Sequence, residues 1–286
     1  RDVCSISTGN KNTQDKIDDG IYPFYVRSQT VERINSWTFD GEAILTAGDG
    51  VGVGKVFHHT YGKIGVHQRV YILSNFKCDA NYLFHFFSSH FYNRVKRMSA
   101  KNSVDSVRKE MITEMPLYLP SKQEQAKIGV LLSLLDERIA TQSKVIDKLQ
   151  SLIKGIAHKI SKQGKPNIRL SECLECSSTT LQESDVAEVG AYPVYGANGI
   201  VGYLDTYSTT KEAIYIIKDG SGVGSVSYVK GKCSATGTLN ILEAKEGYSL
   251  RYLYFMLKVF NFEPYKTGMA IPHIYFKDYR KAKIYC

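Results

Sequence analysis

The sequence predicts an α+β fold in which two repeated β-rich domains are joined by a long helix that forms a coiled coil. Three observations predict this fold: an internal repeat, short apolar segments with strand periodicity in each copy, and one extended heptad pattern between the copies. The predicted boundaries are 1–120 for the first domain, 121–163 for the helix and 164–286 for the second domain.

The two copies align at a constant offset over their strand-rich part. Gly20 matches Gly190 and Asp49 matches Asp219, and a one-residue gap separates this part from a matching aromatic helix. The aligned segments are 19–56 with 189–226 and 81–87 with 251–257. Because such self-similarity extends over most of the chain, we predict that one domain has been duplicated.

A glycine-rich segment in each copy is predicted to be a hairpin turn. It reads GDGVGVGK at residues 48–55 and KDGSGVGS at residues 218–225. The first lacks the pattern of a phosphate-binding loop, because Val56 follows Lys55 where that loop requires Ser or Thr. Its glycines fall on every second residue, which is typical of strands and turns. We therefore predict a structural turn rather than a nucleotide site.

The segment between the copies predicts one long helix. Ser121 and Glu124 form a capping-box pattern directly after Pro120, and Gly164 ends the helical pattern. Apolar residues recur at steps of three and four, interrupted by Gln142, and form a seam of Ile128, Leu132, Leu135, Ile139, Ile146, Leu149, Ile153, Ile156 and Ile160. A helix of about 40 residues is about 60 Å long. Such a seam requires a partner helix, which a second copy of the chain could supply.

Composition and charge narrow the class of protein. The 286 residues are 43% hydrophobic with no run of 18 apolar residues, and no signal-peptide pattern opens the sequence. We therefore expect a cytoplasmic protein with no membrane partner. The sequence starts with Arg rather than Met, so the native N-terminus can lie upstream. The formal net charge of +9 favours a polyanionic partner, without separating DNA from RNA or a membrane surface.

The six cysteines include one Cys-x-x-Cys pattern, at Cys173 and Cys176. A zinc site requires a second ligand pair, and the sequence contains no second Cys-x-x-Cys and no His-x-x-x-His. We therefore expect buried thiols and no metal, with zinc or redox chemistry as the alternative.

The chain resembles, over almost its whole length, the specificity subunit of type I restriction-modification enzymes. The resemblance is carried by the helix entry Pro120, Glu124, Gln125 and Ile128, by the Leu-Leu-Asp-x-x-Ile run at 134–139, and by the YPxYGAxGIxGYxD pattern at 192–205. In that family each repeat is a target recognition domain that reads one half of a bipartite DNA site, and the helices act as a ruler between the two domains.

The resemblance also implies the partners. A specificity subunit has no catalytic activity of its own: it binds double-stranded DNA, two modification subunits that methylate adenine with S-adenosylmethionine, and a restriction subunit. No cofactor is then expected in this chain. The family has a second helix after its second domain, antiparallel to the first, whereas this sequence stops at KAKIYC. Either that distal helix lies outside this sequence or another chain supplies the partner.

Two other classes of protein remain as alternatives. The first is an enzyme, a DNA methyltransferase or nuclease with fused recognition domains. An amino-methyltransferase requires an Asn/Asp-Pro-Pro-aromatic motif, and no Pro-Pro occurs here; the nearest fragment of a nuclease site is EAK at 243–245. The second is a scaffold that binds only protein, which the positive charge disfavours. A gel shift with duplex DNA separates this scaffold from a DNA-binding protein.

The polar loops provide the candidate DNA contacts, because Arg, Lys, Asn and Gln read base edges while basic and hydroxyl groups bind phosphates. In the first copy the candidates are Arg27, Gln29, Arg33, Lys63, His67, Gln68, Arg69, Lys101, Asn102 and Ser103. In the second copy they are Asn198, Tyr203, Lys230, Lys232, Thr236, Thr238, Lys266, Thr267 and His273. Any one of them can instead be a solvated surface group, and the two histidines ordinary loop residues. The copies share the glycines but differ in these loops, so we expect an asymmetric target.

Overall fold

The computed structural model of the chain describes residues 3–99, 106–220, 222–268 and 271–286. The chain divides into two compact units, Arg1–Ser143 and Lys144–Cys286, called unit 1 and unit 2 below. The mixture of strands and helices and the long central helix confirm the predicted α+β fold class.

Unit 1 begins with eight described strands and two helices, followed by the long helix. They are β1 Ser5–Thr8, β2 Tyr22–Tyr25, β3 Glu32–Ile34, β4 Phe39–Asp40, β5 Ala43–Ala47, β6 Phe57–Thr60, β7 Lys63–Val66, β8 Val70–Ser74, α1 Ala80–Met98, α2 Lys109–Thr113 and α3 Lys122–Ser161. The strands form two sheets, with orders β1-β8-β5-β6 and β3-β2-β7-β4. β2 and β7 pair in parallel, whereas the neighbours of the first sheet are antiparallel.

Alternation along β5 divides the core of unit 1 into two layers. Ile44 packs with Leu83 and Phe87 of α1, whereas its neighbour Leu45 packs with Ile64 of β7. Successive side chains of a strand point to opposite faces of a sheet. The first sheet therefore lies between α1 and the second sheet, and the strand ends and turns lie around this sandwich.

Unit 2 repeats the same arrangement. Its described elements after α3 are β9 Ile168–Arg169, α4 Leu170–Cys173, β10 Leu174–Ser177, β11 Tyr192–Gly196, β12 Gly199–Leu204, β13 Glu212–Ile217, β14 Val226–Lys230, β15 Ser234–Ala235, β16 Leu239–Ala244, α5 Leu250–Lys258, α6 Phe276–Tyr279 and β17 Lys283–Ile284. The sheet β10-β16-β13-β14 corresponds to the first sheet of unit 1, and β12-β11-β15 to part of the second. A short pair, β17 with β9, is added in unit 2.

Helix α3 is continuous over 40 residues and starts with the predicted capping box. The Ser121 N–H donates to Glu124 Oε2 (3.0 Å), and the Glu124 N–H donates to Ser121 Oγ (3.3 Å). Gln125 is buried and fixes the helix on unit 1, since its Oε1 accepts from the Asp79 N–H (3.0 Å). Near its other end, Ala157 is part of the core of unit 2.

The predicted seam lies on the outer side of α3. Seven of its nine residues are between 38% and 65% exposed, namely Ile128, Leu135, Ile139, Ile146, Leu149, Ile153 and Ile156. Leu132 is half-buried, and Ile160 packs against the core of unit 2. At 100° per residue, Gln125 and Gly129 lie on a different face from the seam. The docking of α3 on unit 1 therefore leaves the apolar stripe uncovered.

Gly129 brings α3 close to unit 1, and we expect its replacement by leucine to destabilise the protein. A Cβ at this position would lie 2.6 Å from Asp79 Oδ1 and 2.9 Å from the Tyr82 nitrogen. Overpacking of this kind costs about 1–3 kcal/mol. The matched control is Gly155→Leu on the same helix, where a Cβ meets no atom within 4 Å. There leucine should raise the free energy of unfolding by about 0.5–1 kcal/mol, because it is the better helix former. Urea denaturation measures both, and equal effects would contradict the close contact.

Candidate nucleic-acid interface

The glycine-rich segment of unit 1 is the turn between the antiparallel strands β5 and β6, as predicted. Gly50 and Gly54 have φ values of 75° and 66°, a region that favours glycine. Gly52 lies against the backbone of Arg27, because a Cβ on Gly52 would be 2.3 Å from the Arg27 carbonyl oxygen. The turn therefore holds the loop after β2 in place.

Asp49 in this turn holds two of the predicted arginines together. Arg27 Nη1 donates to Asp49 Oδ1 (2.9 Å), and Arg69 Nε lies 3.7 Å from Asp49 Oδ2. We call Arg27, Asp49 and Arg69 the Asp49 cluster. Both arginine side chains are exposed. The single carboxylate aligns the two guanidinium groups and leaves a net positive charge at the surface.

His67 is buried below the cluster and supports the turn that carries Gln68 and Arg69. Its Nδ1 accepts from the Arg69 N–H (3.0 Å), and its own N–H donates to the Tyr25 carbonyl (3.0 Å). Burial, and next the nearby charge of Arg27, lower the pKa of His67 below its ordinary value. A neutral imidazole keeps the unprotonated Nδ1 that this hydrogen bond requires. His67 thus positions its neighbours instead of facing solvent.

Gln68 is exposed beside the cluster and is fixed by a residue that sequence reasoning missed. Its Nε2 donates to Asn12 Oδ1 (2.6 Å), across 56 residues of sequence. One N–H and the carbonyl oxygen of the Gln68 amide remain for another partner. Asp49 was also missed, although the repeated Asp-Gly of the two copies was the signal that could have found it; nothing in the sequence marks Asn12.

The other candidates of unit 1 lie apart from the Asp49 cluster or outside the described residues. Gln29 Nε2 donates to the Phe57 carbonyl (3.4 Å), and Arg33 Nε donates to the Gly20 carbonyl (3.0 Å). Lys63 begins β7, at the end opposite His67, and its Nζ lies 5.1 Å from the centre of the Trp37 ring. The predicted contacts outside the described residues are Lys101, Asn102 and Ser103. Ser106, the next described residue, forms a bridge with Asp49.

In unit 2 the equivalent aspartate, Asp219, forms a bridge with His273. His273 and Thr267 exchange two backbone hydrogen bonds (2.8 and 2.9 Å), which places both candidates at this turn. Lys266 precedes them and pairs with Glu263. The structure therefore brings Thr267 and His273 together at the position that Ser106 occupies in unit 1.

The remaining candidates of unit 2 surround β11, β12 and β14. Lys232 lies between two tyrosines, with its Nζ 4.7 Å from the ring centre of Tyr207 and 5.8 Å from that of Tyr192. Lys230 lies over the Tyr228 ring at 5.9 Å. Asn198 is exposed in the turn between β11 and β12, and Tyr203 is half-buried in β12.

The turn that carries Gln68 and Arg69 has a counterpart with different side chains. The Thr236 N–H donates to the Tyr195 carbonyl (2.8 Å), as the His67 N–H does to Tyr25. The same backbone position thus carries His-Gln-Arg in unit 1 and Thr-Gly-Thr in unit 2. Thr236 is buried, and its hydroxyl bonds that of Thr238 (2.8 Å). The two units therefore present different donors and acceptors from one scaffold.

A duplicated β-rich unit, a long helix and two chemically different polar turns agree with one known family. The family described as type I restriction modification DNA specificity domain matches residues 1–151 and 166–286. The chain belongs to this family.

Relatives of this specificity-domain chain are specificity subunits. That of the type I restriction enzyme EcoDI of Escherichia coli is 26% identical over 153 residues, covering 54% of this chain and 34% of that protein. That of EcoprrI, also of Escherichia coli, is 28% identical over 94 residues, covering 33% and 23%. The matches thus span about a third or less of these relatives.

A solved structure shows the shared fold of the specificity-domain family. The crystal structure of the S subunit of a type I restriction-modification system from M. genitalium superposes with a TM-score of 0.72 at 19% identity. The superposition covers 90% of this chain and 75% of the M. genitalium chain.

Two kinds of feature were searched for in the described part of this specificity-domain chain. No three His, Cys, Asp or Glu side chains are grouped there so that they could hold a metal ion. None of the described helices is both long enough and apolar enough to cross a membrane.

Proposed function

We propose that this chain is the DNA-binding specificity subunit of a type I restriction-modification enzyme and recognises a bipartite, asymmetric target in double-stranded DNA. One observation carries the proposal: equivalent turns, anchored by the same backbone hydrogen bond, carry His-Gln-Arg in unit 1 and Thr-Gly-Thr in unit 2. Two units with one scaffold and different readout groups suit two different half-sites. The net charge of +9 suits a polyanionic ligand.

In unit 1 the Asp49 cluster and Gln68 are the proposed base-reading groups. Arginine pairs with the O6 and N7 atoms of guanine, and Asp49 holds Arg27 and Arg69 in a fixed orientation before binding. Gln68 retains one N–H and its carbonyl oxygen, which are the two groups that a bidentate contact with adenine requires. Lys63 and Arg33 are proposed phosphate contacts, because they lie away from this cluster.

In unit 2 the lysines beside tyrosine rings are the proposed phosphate contacts. Lys232 and Lys230 are exposed, and the rings of Tyr207 and Tyr228 hold their ammonium groups in place. Thr267, His273 and Asn198 lie in turns and are the proposed contacts with bases. Hydroxyl and amide groups of this kind read different bases from those that arginine reads.

We propose that the chain has no catalytic activity and holds no cofactor. Two modification subunits would bind S-adenosylmethionine and methylate adenine, and a restriction subunit would cut DNA, with this chain directing both. The absence of any Pro-Pro from the 286 residues supports this assignment against the alternative, a DNA methyltransferase or nuclease with fused recognition domains.

The proposal is tested by selecting duplexes from a randomised library with the chain and its modification subunits. We expect two short, different conserved sequences separated by unspecified base pairs. The purified chain alone, incubated with labelled S-adenosylmethionine and the selected duplex, should transfer no methyl group. Methyl transfer by the chain alone would favour the enzyme, and selection of no sequence would contradict recognition.

A further inference from the structure

Unit 1 has an apolar groove between β1, α1 and α2. It has a volume of about 400 Å³ and is lined by Cys4, Leu83, Phe87, Ile112, Met115 and Leu117. We call it the α1–α2 groove. Leu83, Phe87 and Ile112 belong to the core cluster of unit 1, so the groove leads directly to that core.

The equivalent region of unit 2 is identified by two structural correspondences. Tyr82 Oη donates to the Tyr118 carbonyl (2.7 Å), and Tyr252 Oη donates to the Tyr285 carbonyl (2.7 Å). In the sheets, Ile6 lies opposite Leu73, as Cys176 lies opposite Leu242. Counting from these anchors, Ile112 corresponds to Tyr279, Met115 to Ala282, Leu117 to Ile284 and Cys4 to Leu174.

In unit 2 this region is filled by the residues that lead into β10. Ile168 pairs with Ile284 in the short β9–β17 ladder, and the Asn167 N–H donates to the Ile284 carbonyl (3.0 Å). The Leu170 side chain is fully buried in the core, and its N–H donates to the Ala282 carbonyl (3.0 Å). A strand residue and a leucine thus close the core of unit 2 at the place where unit 1 has its groove.

The matching edge of unit 1 has the form that such a segment requires. Side chains alternate along it, with Met115 and Leu117 half-buried and Glu114 and Tyr118 exposed. Within the described residues, 116–120 belong to no strand ladder. An extended edge beside an apolar pocket fits a peptide that adds a short strand and inserts aliphatic side chains.

We propose that the α1–α2 groove is the docking site of the strand-and-turn segment that leads into β1, as residues 167–173 lead into β10. In this alignment Arg1 and Asp2 correspond to Ser171 and Glu172. The groove then takes aliphatic side chains at the two positions equivalent to Ile168 and Leu170, ahead of Arg1. The docked segment completes the core of the first recognition domain and is independent of DNA binding.

The test extends the full chain ahead of Arg1 by Asn-Ile-Arg-Leu, the sequence of residues 167–170. The matched control carries Asn-Ile-Arg-Asp, which places a carboxylate at the position of the inserted leucine. Hydrogen exchange should slow at the Leu117 and Leu119 amides by about 10-fold or more in the first extension only, because a paired amide exchanges through local opening. Equal exchange in both extended chains and the original chain would overturn the proposal.

A second readout uses the thiol of Cys4, which lines the groove and whose counterpart Leu174 is buried. A bulky thiol reagent should label Cys4 about 10-fold more slowly in the Leu extension than in the Asp extension. Cys286 is exposed and serves as the internal reference in the same molecule. Unchanged relative labelling of Cys4 would also overturn the proposal.

Discussion

Replacing Arg27 and Arg69 together by alanine is expected to lower affinity for the selected duplex by roughly 100-fold or more. Each bidentate contact between arginine and guanine is worth about 1–3 kcal/mol, and Asp49 orients both side chains before binding. The loss should be confined to the half-site read by unit 1. Fluorescence anisotropy at fixed salt, with duplexes altered in one half-site at a time, measures this effect.

The control for this prediction removes the same charge elsewhere in unit 1. Lys77 and Lys122 are exposed, and Lys77 follows the end of β8 opposite Arg69. Lys77→Ala combined with Lys122→Ala should change affinity by less than about 10-fold, because distant surface charges are largely screened. Equal losses in both double variants would mean that the arginines contribute only net charge.

Replacing Leu135 and Leu149 together by aspartate is expected to weaken self-association by roughly 100-fold to 10,000-fold. These seam residues are 47% and 53% exposed, and a partner helix would bury them. Burying a leucine contributes about 1.5–3 kcal/mol, which a carboxylate forfeits. Sedimentation velocity over a range of concentrations measures the change.

The matched control places aspartate on another face of the same helix. Ala140 and Ser151 lie about 140° or more from the centre of the seam at 100° per residue, and both are exposed. Ala140→Asp combined with Ser151→Asp should leave self-association unchanged. An unmutated chain that stays monomeric at all concentrations would contradict pairing between copies.

The sequence predicted those parts of the fold that depend on local patterns. The glycines of residues 48–55 predicted the turn because positive φ values at Gly50 and Gly54 are a backbone requirement. The apolar period of α3 likewise reports one face of one helix. Both signals lie within a few adjacent turns of chain, so no tertiary information was required.

The composition of the candidate site could not be predicted in the same way. Asp49 meets Arg27 and Arg69, and Gln68 meets Asn12, only because separate strands and loops come together. The burial of His67 depends on the packing of β2 beside β7, which no local pattern reports. Residue type thus identified several surface donors, and tertiary structure decided which of them act as a group.

The spacer of the DNA target is the most direct test of a bipartite-recognition subunit. Helix α3 has 40 residues and is about 60 Å long, whereas B-DNA advances about 34 Å per turn. Inserting or deleting one base pair between the half-sites shifts one against the other by about 3.4 Å and rotates it by about 35°. We expect the complex of this chain with its modification subunits to lose affinity for both altered duplexes. Unchanged affinity would contradict recognition of two half-sites at a fixed separation.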